Sequence, residues 1–217
     1  MHNILLVTSS VFGEKSKSRD VALELLQAWR STHAASRVTV RDASAIPHLT
    51  GEIFAAAMTP PDKRSAEQTA AAALGDTLIE EIEAADTVVV AAPMYNFSIS
   101  STLKAWIDHI TRGGRTFRYT AAGPEGLLKN KKVLVVVSRG GFYRGDSPAK
   151  GMDFQEPYLR AALGFVGLSD VTFIHVEGQG VSPEAAAGGL EAARKTVAAI
   201  VPAAPAVAGI IPAAIAA

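Results

Sequence analysis

Apolar residues follow two alternating periodicities along the chain. Short β-branched and aliphatic runs lie at Ile4–Thr8, Arg37–Asp42, Thr87–Ala92 and Lys132–Ser138, with a last one opening at Asp170. Between them are stretches in which apolar positions recur every three to four residues, as on one face of a helix. The runs "TVVVAA" and "KVLVVVS" are apolar at nearly every position, which predicts strands covered by helices on both faces of a parallel sheet. Ser18 is placed to cap a first helix carrying Val21, Ala22, Leu25 and Trp29. A second helix is predicted from Ser65 to Ala84, and a third from Ser100 or Ser101 to Gly113–Gly114. A fourth spans about Pro157 to Leu163, and a last opens with Ser182 as cap and Pro183 in its first turn. Five strands, each followed by a helix, predict an α/β fold with a doubly wound five-stranded parallel sheet, for which the order 2-1-3-4-5 is taken. Ile46–Pro61 and Arg112–Lys131 read as two long loops.

Composition narrows the chemistry. The 217 residues are 48% hydrophobic and 19% charged, with 21 basic and 21 acidic side chains, as in an ordinary globular domain. A net charge of zero removes the overall electrostatic footprint of a nucleic-acid binder. There is no cysteine, which excludes disulfides, thiolate catalysis, iron–sulfur ligation and cysteine-based zinc sites. Redox chemistry would therefore need an exogenous cofactor. No basic leader or long apolar segment opens the chain, so the expected location is the cytoplasm. From Thr196 the sequence is uncharged, but Pro202, Pro205 and Pro212 interrupt it and alanine dominates, which favours an Ala/Pro tail at 203–217 over a membrane anchor. The expected domain covers residues 1–202.

In the order 2-1-3-4-5, the first, third and fourth strands lie side by side, and ligands bind beyond their carboxyl ends. The most unusual sequences follow those three strands: "SSVFGEKSKS", "PMYNFSIS" and "SRGGFYRGDSP". The first is not a P-loop, because Thr8 stands where the opening glycine belongs and Glu14 takes the lysine position. Ser10, Ser16 and Ser18 at a helix start can still hold a terminal phosphate with the helix amides, supported by Lys15, Lys17 and Arg19. A helix cap among solvated lysines fits the same residues. In the second segment Pro93 ends a strand, and Met94, Tyr95 and Phe97 around Asn96 suit a wall for a flat aromatic ligand, or a plug for the end of the sheet. In the third, Gly140 and Gly141 permit close backbone approach, or a simple tight turn.

Together with "PMYNFSISSTLKAWID", "TFRYTAAGPEGLL" and "YLRAALGFVGLSDV", these segments resemble the FMN-dependent NADH:azoreductase/quinone reductase family over nearly the whole chain to the last helix. The resemblance implies a flavodoxin-like fold, one non-covalent FMN per subunit and a homodimer with active sites near the subunit interface. It also implies ping-pong reduction of quinones and azo compounds by NADH or NADPH. By the family pattern Ser10, Ser16, Lys17 and Ser18 attend the phosphate. Met94, Tyr95, Asn96 and Phe97 hold the isoalloxazine, with Asn96 near its reactive edge, and Ser138, Arg139, Gly140 and Gly141 contact the pyrimidine side. Lys17 is more basic than that pattern leads one to expect. Phe117, Tyr119 and Phe142 are candidates for lining the substrate slot, the first two equally for a cluster supporting their loop. No side chain is assigned as a general acid.

Rival readings fail or differ in a measurable way. A phosphorelay receiver needs acidic residues after the first strand and an aspartate after the third, where Ser9–Ser10 and Met94–Tyr95–Asn96 stand. No Gly-x-Ser-x-Gly elbow follows a strand, and no two of the five histidines have metal-ligand spacing. A flavodoxin-type electron carrier is the alternative that remains, distinguished by the absence of NAD(P)H:quinone turnover.

Overall fold

The computed structural model describes residues 2–33 and 35–201. Among these residues seven strands form: β1 (His2–Thr8), β2 (Ser36–Asp42), β3 (Thr87–Pro93), β4 (Phe117–Thr120), β5 (Gly123–Gly126), β6 (Lys132–Ser138) and β7 (Asp170–Val176). Six α-helices accompany them: α1 (Lys17–Thr32), α2 (Gly51–Met58), α3 (Ala66–Ala84), α4 (Ser101–Ile110), α5 (Gln155–Phe165) and α6 (Pro183–Ile200). The main sheet is parallel throughout in the order β2-β1-β3-β6-β7, the expected 2-1-3-4-5 once β4 and β5 are set aside as a separate antiparallel hairpin.

The continuous apolar runs are explained by two cores, one on each face. Leu5, Val7, Val88, Val90, Val133, Val135 and Val137 point toward α3, α4 and α5. Their alternate neighbours Ile4, Leu6, Val89, Ala91, Leu134 and Val136 point toward α1 and α6. A strand with both faces covered has no position to give to a polar residue, so period-two alternation disappears. Burying each such aliphatic side chain contributes about 1.5–3 kcal/mol.

Three local expectations change. The cap of α1 is Ser16, whose extended backbone lets Oγ accept the Arg19 N–H at 3.4 Å; Ser18 is buried in the first helical turn, its hydroxyl 3.1 Å from that of Ser16. The supposed loop Ile46–Pro61 contains α2, capped by Thr50 and short enough to escape a periodicity reading. The supposed loop Arg112–Lys131 contains the β4–β5 hairpin. Helix α6 extends to Ile200, so the uncharged C-terminal run begins as a packed helix, with Val197 and Val201 buried. The tail proposed for 203–217 lies outside the described residues. Among the described residues no helix is long and apolar enough to cross a membrane.

Candidate functional site

Three loops leave the carboxyl ends of β1, β3 and β6 and meet around a cleft of about 180 Å³. The β1 loop contributes Ser10, Phe12, Lys15, Ser16 and Lys17; the β3 loop, Pro93, Met94 and Tyr95; and the β6 loop, Ser138, Arg139 and Gly140. Gln179, after β7, closes the remaining side.

The β1 loop is held from within. Ser9 Oγ donates to the Ala91 carbonyl at 2.9 Å, tying the loop's start to β3. Tyr95 OH lies 3.1 Å from Ser10 Oγ and accepts the Val11 N–H at 3.3 Å, and Ser10 Oγ accepts the Phe12 N–H at 3.2 Å. The Tyr95 hydroxyl thus fastens one loop to the next. At the amino end of the sixteen-residue α1, free helix amides and the positive end of the macrodipole favour an anion. Lys15 and Lys17 stand beside it.

The β3 loop is a two-residue reversal. Tyr95 and Ser98 exchange backbone hydrogen bonds of 2.9 and 3.0 Å, which places Asn96 at φ 48° and Phe97 at φ 71°. Positive φ at both central positions is the requirement of a type I′ turn, which asparagine tolerates and phenylalanine does not favour. Holding Phe97 there costs about 1–2 kcal/mol. Backbone strain of this kind gathers at ligand sites. Asn96 faces a second hollow of about 660 Å³ beyond Tyr95, shared with Val11, Ser98, Lys104 and Tyr158. Burial, with the Asp108 carboxylate adding to it, pushes the Tyr158 phenol up to about 12.

The β6 loop is zipped to the segment after β7. The carbonyls of Arg139, Gly140 and Gly141 accept from the N–H groups of Gln179, Gly180 and Gly178 at 3.0, 2.8 and 3.0 Å. The N–H groups of Gly140 and Gly141 have no acceptor among the described residues. A Cβ added at Gly140 would meet nothing within 4 Å, whereas one at Gly141 would touch the Tyr143 ring at 3.4 Å.

The Arg139 side chain turns away from the cleft that its backbone lines. Its side chain is fully buried, with Nε donating to Gln155 Oε1 at 3.1 Å and Nη1 to Glu177 Oε1 at 3.3 Å. Nη2 lies 2.9 Å from Asp153 Oδ2, outside hydrogen-bond alignment. The carboxylates draw the guanidinium inward, leaving the backbone to face the cleft. Behind it His175 Nε2 meets Glu156 Oε2 at 2.7 Å. Burial pushes the His175 imidazole below its usual pKa, against the Glu156 hydrogen bond and with help from the Arg144 and Arg139 charges. Burial would raise Glu156, but hydrogen bonds from His175 and Arg160 hold it below the ordinary carboxylate value.

Not all the candidates meet at the cleft. Phe97 edges onto Tyr143 with centroids 6.5 Å apart and stays 40% exposed, and Phe142 stands at the rim with its ring against Gly178. Phe117 instead packs on Phe165 at 4.5 Å, and Tyr119 is 77% exposed. Their hairpin is tied to the end of α5 through the Leu128 N–H and Val166 carbonyl at 2.9 Å, at the opposite end of the sheet from the cleft. Sequence reading passed over Gln155, Glu177 and Gln179. "EGQG" after the last strand is a polar, glycine-flanked signal of the kind that drew notice to "SRGG".

A flat group ending in a phosphate fits this donor set. Hydroxyls and the amino end of a helix stand at one side, apolar Met94 and Tyr95 in the middle, and unpaired glycine amides, with an open Cβ direction at Gly140, at the other. The FMN implied by the sequence resemblance is such a group.

Residues 2–201 match the family described as flavodoxin-like fold. The FMN-dependent NADH:quinone oxidoreductase 6 of Burkholderia lata is 48% identical over 201 residues, which is 92% of this chain and 100% of that protein. The FMN-dependent NADH:quinone oxidoreductase 2 of Pseudomonas putida is 44% identical over 202 residues, again 92% of this chain and 100% of its own length. A crystal structure of azoreductase from Bacillus anthracis superposes with a TM-score of 0.84 at 25% identity, covering 93% of this chain and 99% of that one.

Proposed function

The chain belongs to the FMN-dependent NADH:quinone oxidoreductases, a family of flavodoxin-like fold, and on that premise we propose that it reduces quinones and azo compounds with electrons from NADH or NADPH through bound FMN. The observation that carries the reading is the convergence of the β1, β3 and β6 loops on one cleft, with phosphate donors and free glycine amides at different sides.

FMN, when bound, supplies the two-electron chemistry linking nicotinamide donor to acceptor. The protein's part is binding and orientation. Ser10, Ser16 and the α1 amides take the phosphate, with Lys17 adding charge; Ser18, buried beneath Ser16, sets that hydroxyl's direction. Met94 and Tyr95 pack against the ring, and Phe97 stands at its edge. Asn96, held in the strained turn, faces the hollow beyond Tyr95, which this reading assigns to the reacting side. Ser138 and the amides of Gly140 and Gly141 serve the pyrimidine side, where donors favour negative charge. One stacking slot shared in turn by donor and acceptor makes the kinetics ping-pong, because reacting atoms must approach within about 3–3.5 Å. Exposed Phe97 and Phe142 suit planar acceptors.

Two copies complete the site in this reading. Tyr119 is exposed and far from its own cleft, so its substrate-lining role belongs to the site of a second copy. Sedimentation of the purified protein as a monomer at assay concentration would remove that part of the proposal.

The test of the whole is spectroscopic. Purified protein is expected to be yellow with flavin bands, to bleach with NADH and to recover on adding a quinone. A colourless protein that takes up no added FMN refutes the reading; one that bleaches but turns over no quinone is an electron carrier.

A further inference from the structure

Arg139 is the largest charged side chain buried at the site, and nothing in the chemistry above uses its guanidinium. Its side-chain partners come from two separate segments, and one of them reaches on to a third. Gln155 and Asp153 belong to the start of α5, where Asp153 Oδ1 also accepts the N–H groups of Gln155 and Glu156 at 3.0 and 3.1 Å. Glu177 follows β7, and its Oε1 accepts both Arg139 Nη1 at 3.3 Å and the Tyr143 N–H at 2.9 Å. Gln155 reaches on to the Ala92 carbonyl of β3 at 2.9 Å. One side chain therefore connects the ends of β3, β6 and β7 with the start of α5, directly beneath the peptide units that carry the free Gly140 and Gly141 amides. The backbone repeats the arrangement: the Arg139 N–H donates to Val176 O at 2.9 Å and its carbonyl accepts from Gln179.

Such a hub exceeds what capping α5 requires, since Asp153 performs that alone. A buried guanidinium with several carboxylates is held only by complementary geometry, so its position is narrowly defined. We propose that Arg139 is the positioning residue for the pyrimidine side of the site: its side chain touches no ligand and fixes the Gly140 and Gly141 amides at the angle the flavin edge requires. The proposal rests on the FMN assignment. It implies that loss of the guanidinium changes how FMN is held and how readily it is reduced, beyond any effect on folding.

The experiment compares full-length wild type, Arg139→Met, Arg139→Lys and Glu177→Gln. A core cavity at the far end of the sheet, Leu168→Ala, serves as the control for lost stability alone. FMN affinity is measured by quenching of flavin fluorescence, and the midpoint potential and visible spectrum of the bound flavin are recorded for each. Losing one or two oriented hydrogen bonds predicts FMN binding at least about tenfold weaker in Arg139→Met. A shifted potential and visible bands are expected with it, and Arg139→Lys, a single point charge in place of the fork, should lie between. Leu168→Ala is expected to lower Tm while keeping wild-type affinity, potential and spectrum. If Arg139→Met does not fold, Glu177→Gln decides: several-fold weaker FMN binding supports the proposal, and wild-type affinity overturns it. Arg139→Met with wild-type affinity, potential and spectrum overturns it outright, as does Leu168→Ala showing the same spectral changes. A wild-type chain that binds no FMN removes the cofactor assignment itself, a failure separate from these.

Discussion

Two adjacent glycines in α6, Gly188 and Gly189, are expected to respond to alanine with opposite signs. In a helix interior, alanine is favoured over glycine by about 1 kcal/mol. A Cβ at Gly188 meets nothing within 4 Å, so Gly188→Ala should gain that increment. A Cβ at Gly189 would lie 2.0 Å from the Glu177 carbonyl oxygen and 3.1 Å from Gln179 Nε2. Both belong to the segment that closes the cleft, where Gln179 Nε2 itself donates to that carbonyl at 3.1 Å. The helix must move away from backbone that β7 and the Arg139 network hold in place, an overpacking cost of about 3 kcal/mol. Losing the Gln179 hydrogen bond adds about 1 kcal/mol. After the helical gain, Gly189→Ala should lose about 3 kcal/mol. For a domain of this size each kcal/mol moves Tm by about 2–4 °C, so Gly188→Ala should melt about 2–4 °C higher and Gly189→Ala about 6–12 °C lower. Thermal melts followed by circular dichroism at one pH and scan rate measure both. A Gly189→Ala protein melting at or above wild type, or the two variants moving in the same direction, would refute the close approach of α6 to Glu177.

Gly140→Ala should leave Tm within about 1 °C, surface substitutions being near neutral, yet weaken FMN binding in a fluorescence titration, because only a ligand occupies the space its methyl would enter. Tyr95→Phe removes the hydroxyl joining Ser10 and Val11 to the β3 loop and should weaken FMN affinity by roughly tenfold, two hydrogen bonds at about 0.5–1.5 kcal/mol each; unchanged affinity would show the β1 loop to be preorganised without it. His175 is held below its unfolded pKa of about 6.5, so the unfolded chain binds more protons between the two values. Its contribution is complete above pH about 6.5 and lost as pH falls through the folded value, so urea midpoints should decline from pH 6.5 to 5 and His175→Gln should flatten that decline.

Much of the architecture was legible without coordinates, because burying a strand on both faces leaves a continuous apolar run. β3 and β6 announced themselves in this way, and the parallel sheet followed. The cap of α6 was legible at Ser182, while Ser65 and Ser100, placed only as approximate helix starts, prove to be the caps of α3 and α4. Ser16 and Ser18 were confused because serines two residues apart both suit a helix start, and only backbone angles tell them apart. Helix α2 was missed because eight residues cannot establish a period, and the β4–β5 hairpin because its strands have four residues each.

At the site, local sequence marked which loops matter: hydroxyls and lysines before α1, aromatics after β3, paired glycines after β6. It carried no information on side-chain direction, which depends on partners distant along the chain. Arg139 turns inward because Asp153 and Glu177 wait there, and the Tyr95 hydroxyl turns toward the β1 loop because Ser10 and Val11 lie within reach. Tyr119 is carried away from its own cleft because the hairpin is anchored on Val166 at the other end of the sheet. Composition and period are properties of neighbours along the chain, and they determined the layers; the strand order is set by pairing between distant segments. The facing of each polar group is a property of neighbours in space, and only the folded packing decided it.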